Sequence, residues 1–171
     1  VLLLNLNDDE CFNIFSMNNK KELGQFYSTN SENILKGLTL PTGFKVIEPF
    51  AGQGDLIEFC KQFGPVELYD IDPKIPDIIV QDTIANPPNY DNSYCITNPP
   101  YLARNHAKSK ELFDLYEQND LYKCFLITLI NSNCIGGCLI IPLNFWCGAR
   151  QSDIELRGKF MNKFVILKLN I

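Results

Sequence analysis

Lys45-Val46-Ile47-Glu48-Pro49-Phe50-Ala51-Gly52-Gln53-Gly54-Asp55 is the stretch that decides the fold. Its first four residues read as a short buried strand, and Ala51 to Gly54 as a turn. Beyond it, Leu56, Phe59, Cys60 and Phe63 recur at i, i+3, i+4 and i+7, the spacing of one helix face, and Gly64-Pro65 stops that helix. Strand, tight turn and helix in so short a span open a βαβ unit.

The same alternation continues along the chain. Val66–Asp70, Asp77–Val80 and Ser93–Thr97 read as further strands. Helices are expected near Lys108–Gln118 and Leu121–Asn133, the second stopped by Gly136-Gly137. Cys138–Ile141 and Phe164–Leu169 read as the last two strands. Upstream, Thr29-Asn30-Ser31-Glu32 has the form of a capping box before Ile34, Leu35 and Leu38, although Gly37 weakens that helix. Strands alternating with helices predict an α/β domain whose mainly parallel sheet is covered on both faces. Ligands of such sheets sit beyond the carboxyl ends of the strands, at the switch point.

Composition sets the outer limits. With 171 residues, 46% of them hydrophobic, the chain can bury a core without staples. Residues 1–22 are read as an N-terminal extension and 23–171 as one domain. No apolar run is long enough to span a bilayer, so no membrane partner is expected. Val1-Leu2-Leu3-Leu4 is too short for a signal peptide and lacks a basic flank. Seven cysteines with no Cys-x-x-Cys pair, and a lone His106, argue against zinc. They fit reduced thiols in the cytoplasm, or in a host nucleus or cytoplasm if the source is viral. The net charge of −5 argues against this chain gripping a polyanion alone.

Each strand end carries an acid. Gly52 and Gly54 allow a sharp turn and close approach to a ligand, with helical N–H groups beyond. The loop lacks the third glycine of the dinucleotide fingerprint, and Glu48 at the strand exit suits a cationic or amine-bearing ligand better than a phosphate. Asp70, with Asp72 close behind, stands where a carboxylate can accept from both ribose hydroxyls. Asp82, in Gln81-Asp82-Thr83, stands where an adenine amino group could donate. Any one of these acids alone would more commonly cap a helix or face solvent; three in succession favour a ligand.

Asn98-Pro99-Pro100-Tyr101 ends the fourth of these strands. Two prolines stiffen the backbone and remove two donors, leaving carbonyls as acceptors. An exocyclic amine on an aromatic base is a poor nucleophile, because its lone pair is delocalised into the ring. It needs acceptors for its hydrogens, which the Asn98 oxygen and the Pro99 carbonyl could supply. Tyr101 offers a ring face for a base, a contact worth ~1–3 kcal/mol.

Taken in order, these motifs resemble the S-adenosylmethionine-dependent N6-adenine DNA methyltransferases of type II restriction–modification systems, with the cofactor loop ahead of the catalytic motif. The likeness runs from Gly24 to the C-terminus, and Gln25-Phe26-Tyr27-Ser28-Thr29 resembles the family's N-terminal motif. It implies a Rossmann-like class I methyltransferase fold and a catalytic set of Asn98, Pro99, Pro100 and Tyr101. It implies a cofactor site built from Tyr27, Thr29, Glu48, Pro49, Phe50, Ala51, Gly52, Gly54, Asp70, Ile71, Asp82, Thr83 and Asn98. The implied partners are double-stranded DNA with a flipped adenine and a cognate restriction endonuclease. The family also carries a seventh strand, a hairpin with a second stacking aromatic, and a target-recognition domain. The chain is read as a fragment or single domain that stops before them.

Two alternatives stay open: the same fold methylating a protein glutamine or an RNA base, or a remnant that binds the cofactor without catalysis. Asn144-Phe145-Trp146 could border a base pocket or belong to the core. Arg150, Arg157 and Lys159 could face phosphate or solvent.

Overall fold

The computed structural model describes residues 2–4 and 34–170. Within them lies a seven-stranded sheet of β1 (Leu2–Leu4), β2 (Lys45–Glu48), β3 (Val66–Asp70), β4 (Ile79–Val80), β5 (Ser93–Thr97), β6 (Gly136–Ile140) and β7 (Lys168–Asn170). The order is β4-β3-β2-β5-β6-β1-β7, and every pairing is parallel. The helices are α1 (Ile57–Lys61), α2 (Glu111–Leu115), α3 (Leu121–Asn131), α4 (Asn144–Cys147) and α5 (Gln151–Lys163). This is an α/β architecture compatible with a Rossmann-like fold.

Strand alternation sends neighbouring residues to opposite faces, and each face has its own core. Ile47, Cys95 and Leu139 pack with Phe125, Leu129 and Phe160 from α3 and α5. Val46, Tyr94, Ile96, Cys138 and Ile140 pack with Leu35, Leu38, Cys60 and Phe63 on the other side. Every residue of β5 and β6 is buried, as expected of strands covered on both faces. The chain builds β3 and β4 on one side of β2, then returns to place β5 on the other. The reversal between β2 and β5 is the switch point.

Helix α3 carries the heaviest packing, burying Tyr122, Phe125, Leu126 and Leu129. It is joined to α5 by a buried ion pair, Lys123 Nζ to Asp153 Oδ1 at 2.6 Å, and the same ammonium donates to Asn119 Oδ1 at 2.9 Å. Such a pair adds little net stability but is costly to break from one side. No described helix is long and apolar enough to cross a membrane.

Several element boundaries differ from the sequence reading. Gly136 and Gly137 do not stop a helix; α3 ends at Asn131 and the two glycines begin β6. Gly137 lies hard against β5: a Cβ on it would sit 1.7 Å from the Cys95 carbonyl oxygen. The third strand is only Ile79–Val80, because Asp77 takes a left-handed φ of 65° that interrupts extended backbone. Helix α2 is confined to Glu111–Leu115, with Glu117 at φ 54° closing it. The last strand begins at Lys168 rather than Phe164. Helix α5 was not foreseen: its buried residues Asp153, Leu156 and Phe160 make a sparse stripe on a polar helix. Nor was β1, which lies between β6 and β7. After Ile34 the expected helix gives way to a turn, with Gly37 at φ 69°. The capping box itself and the Gln25–Thr29 motif lie outside the described residues.

Gly137→Ala should destabilise the protein by ~1–3 kcal/mol or more, since the clash is with backbone. Gly158→Ala, on the open face of α5 with nothing within 4 Å, should stabilise it by ~0.5–1 kcal/mol. Chemical denaturation of both variants checks the contrast.

Candidate active site

Beyond the carboxyl ends of β2, β3 and β5 lies a cavity of about 590 Å³. That is within the roughly 300–1,000 Å³ of small-molecule sites. Of the expected residues, Glu48, Phe50, Ala51, Gly52, Asp70, Ile71, Asp82, Thr83, Asn98 and Pro100 line it. Pro49, Gly54, Pro99 and Tyr101 do not, and Tyr27 and Thr29 lie outside the described residues. An apolar part of the lining is built by Leu102, Leu112, Phe113 and Leu121. No motif marks Leu112, Phe113 and Leu121, which α2 and α3 bring there, whereas Leu102 follows directly on Tyr101.

The loop after β2 is held by internal bonds. Ala51 N–H donates to the Tyr69 carbonyl at 2.8 Å, and Gly54 N–H to the Ala51 carbonyl at 2.7 Å. Gly52 N–H donates to Asp70 Oδ2 at 2.8 Å, while Asp72 N–H donates to Asp70 Oδ1 at 2.7 Å. Gly54 sits at φ 93°, and a Cβ there would come within 2.8 Å of Ile75. The Phe50 ring packs edge-on against Phe125, centroids 5.0 Å apart, which pins the loop to the core. Past the turn, α1 has five residues; Gly54 and Ile57 N–H are bonded within the loop, and Gly52 N–H to Asp70 at the end of β3.

Each acid thus has a structural duty as well as a place at the cavity. Asp70, 3% exposed, ties the end of β3 to the glycine loop. Asp82 Oδ1 accepts from Ile84 and Ala85 N–H at 3.1 and 3.0 Å, shaping its own turn. Thr83 donates to the Pro49 carbonyl at 2.9 Å, joining that turn to the β2 loop.

Glu48 is the most confined group, at 1% exposure. Its Oε1 accepts from Phe50 N–H at 3.1 Å and from the Thr97 hydroxyl of β5. Its Oε2 has no hydrogen-bond partner. Burial pushes this carboxyl up to about 8, against the lowering effect of its two donors, with the Asp70 and Asp55 charges adding to the rise. At neutral pH the group is held mostly protonated, and a cation brought beside it would draw the proton off. Five carboxyl groups line the cavity (Glu48, Asp55, Asp70, Asp82 and Glu111) against one lysine, Lys108. The field therefore favours a positively charged ligand.

The Tyr101 hydroxyl lies 2.5 Å from Asn98 Oδ1 and 2.8 Å from the Ile140 carbonyl oxygen. Its ring meets Tyr122 edge-on at 6.1 Å rather than lining the cavity. Phe145 is core, and Trp146 packs edge-on against it at 5.0 Å, away from the cavity lining. Arg157 donates to the Phe145 and Gly148 carbonyls at 2.9 and 3.0 Å, so it braces α4 against α5. Arg150, Lys159 and His106 are exposed. Among the described residues, no group of three or more His, Cys, Asp or Glu side chains could hold a metal ion.

A carboxyl raised in the folded state makes the fold bind that proton more tightly than the unfolded chain does. Its contribution is full below about 4.5, falls as pH rises, and levels off above about 8. Wild type minus Glu48→Gln unfolding free energy should therefore fall by several kcal/mol between pH 5 and 8. Asp120, pushed up to about 6 by burial, titrates in both proteins and cancels. A difference that stays flat with pH would show that Glu48 titrates normally. A scan of the chain against protein-family models matches no family, and a search of curated proteins finds no significant match.

Proposed function

We propose that this chain is the cofactor-binding and catalytic domain of a class I, S-adenosylmethionine-dependent DNA methyltransferase that modifies the N6 amino group of adenine. One observation carries the reading. Asn98-Pro99-Pro100-Tyr101 leaves the central strand β5 at the mouth of a cavity that Glu48, Asp70 and Asp82 also line. The resemblance of the motifs supports it, and so does their order along the chain.

The residues present fit the cofactor. The cavity is acidic, of small-molecule size, and has a buried carboxyl oxygen without a partner. When bound, S-adenosylmethionine supplies an electrophilic methyl group on a sulfonium. Asp70 would accept from ribose hydroxyls, Asp82 and the apolar wall would hold the adenine, and Glu48 would face the amino acid end. The adenine to be modified swings out of the duplex, which costs a few kcal/mol of stacking and pairing. The Asn98 amide oxygen, which lines the cavity, would accept an amine hydrogen and stabilise the charge that develops on nitrogen; the Pro99 carbonyl, expected as the second acceptor, stands outside the cavity lining. Prolines at 99 and 100 keep those acceptors rigid, so that positioning supplies much of the rate. The Gln25–Thr29 motif favours DNA over a protein glutamine or an RNA base. A cognate endonuclease reading the same site is the partner this class implies.

The test is incubation of the purified chain with methyl-labelled cofactor and DNA, RNA or protein in parallel. Label is expected in DNA adenine, and Asn98→Ala should lower the rate by about 10²–10³-fold. Asp70→Ala should weaken cofactor binding by calorimetry. Label found only in protein or RNA would overturn the DNA assignment, and no cofactor binding at all would overturn the methyltransferase reading.

A further inference from the structure

We infer that the cavity takes its ligand by exchanging a proton for a cation: Glu48 is a neutral acid in the free protein and gives up its proton when an ammonium group of the ligand docks against it. The placement of the carboxyl carries this. Glu48 lines the cavity, yet the residue is only 1% exposed. Its Oε1 accepts from Phe50 N–H and the Thr97 hydroxyl, while Oε2 has no hydrogen-bond partner. A buried acceptor without a donor is costly, and far more so when it carries charge. The groups that face it offer no compensation. Asp70 at the end of β3 and Asp55 in the glycine loop act on it with charge of its own sign. Cys60 of α1, Cys95 of β5, Cys138 of β6 and Tyr90 ahead of β5 are themselves pushed up by burial and stay neutral. The protonated carboxyl is then the form of lower energy.

A ligand ammonium reverses that balance. It brings a positive charge and N–H donors together, and Oε2 is the acceptor left for one of them. A sulfonium brings charge but no hydrogen, so it cannot complete the carboxyl in this way. The ligand class is therefore an adenosyl compound that carries a free amino group, an identification that rests on the function proposed above. The step balances simply. The neutral acid and the cation enter, a carboxylate–ammonium pair remains, and the proton passes to solvent. An adenosyl compound without the ammonium leaves Glu48 protonated and releases nothing.

Calorimetry on the full chain at pH 7, in two buffers of different ionisation enthalpy, counts the protons and needs no variant to fold. S-adenosylmethionine and S-adenosylhomocysteine should each release roughly one proton. 5′-Methylthioadenosine, which lacks the amino acid, should release none. Affinity for S-adenosylmethionine should rise roughly tenfold between pH 6 and 7. That interval lies below the point, ~7.7–8.0, where an α-amino group loses its own proton. Glu48→Gln, which imitates the neutral acid, should bind like wild type at pH 6, more weakly at pH 7, and release no proton. Asp120, pushed up to about 6, titrates in both proteins and cancels from the comparison. Binding without proton release, equal release by 5′-methylthioadenosine, or a pH dependence that Glu48→Gln retains would overturn the exchange. Proton release without methylation of DNA would leave the exchange standing and overturn the DNA assignment. No binding of either compound that carries the amino acid would overturn both.

Discussion

The buried bond between Glu48 and Thr97 holds the cavity edge of the molecule together. It crosses from β2 to β5, the two strands between which the winding reverses. The same carboxyl oxygen also accepts from Phe50 N–H, so one side chain governs the spacing of both strand ends and the start of the loop. Moving Glu48 would shift the glycine turn relative to Asn98, which follows Thr97 directly. Its burial has an electrostatic cost, which the fold meets by raising the carboxyl to about 8 rather than by supplying a cation.

Around that bond the strand-end acids have divided duties. Asp70 binds loop N–H groups, Asp82 shapes its own turn, and Thr83 fastens that turn to Pro49. A site whose walls are braced by its own ligand-facing groups is preorganised, because little reorders when a ligand enters. The apolar side comes from Leu102 after β5 and from α2 and α3, with α3 held in turn by the packing of Phe125 and the Lys123–Asp153 pair.

Much of this was legible in the sequence, for reasons that differ by element. Strands β2, β3 and β5 were read within their observed bounds because each is a short run bounded by turn residues. Loop residues Glu48 to Gly54 and the Asn98 motif stood out because special backbone needs special residues. Where the reading failed, the pattern was ambiguous. Gly136-Gly137 looks like a helix stop until β5 is known to pass beside it. The polar helix α5 shows only Leu156, Phe160 and a buried aspartate on its inner face.

The sequence by itself determined the α/β alternation, the acids at successive strand ends and the Asn98–Tyr101 motif. These are local properties, set by periodicity and by residues whose backbone chemistry has few alternatives. Only the tertiary structure decided the strand order, the apolar wall of Leu102, Leu112, Phe113 and Leu121, and the placing of β1 between β6 and β7. It also decided that Glu48 is buried beside Thr97 and that Tyr101 points its hydroxyl at Asn98 and Ile140. Apart from the Tyr101–Asn98 contact, these depend on residues tens of positions apart. Which partner is reached depends on how the helices cover the sheet, a property of the whole chain that no local spacing records.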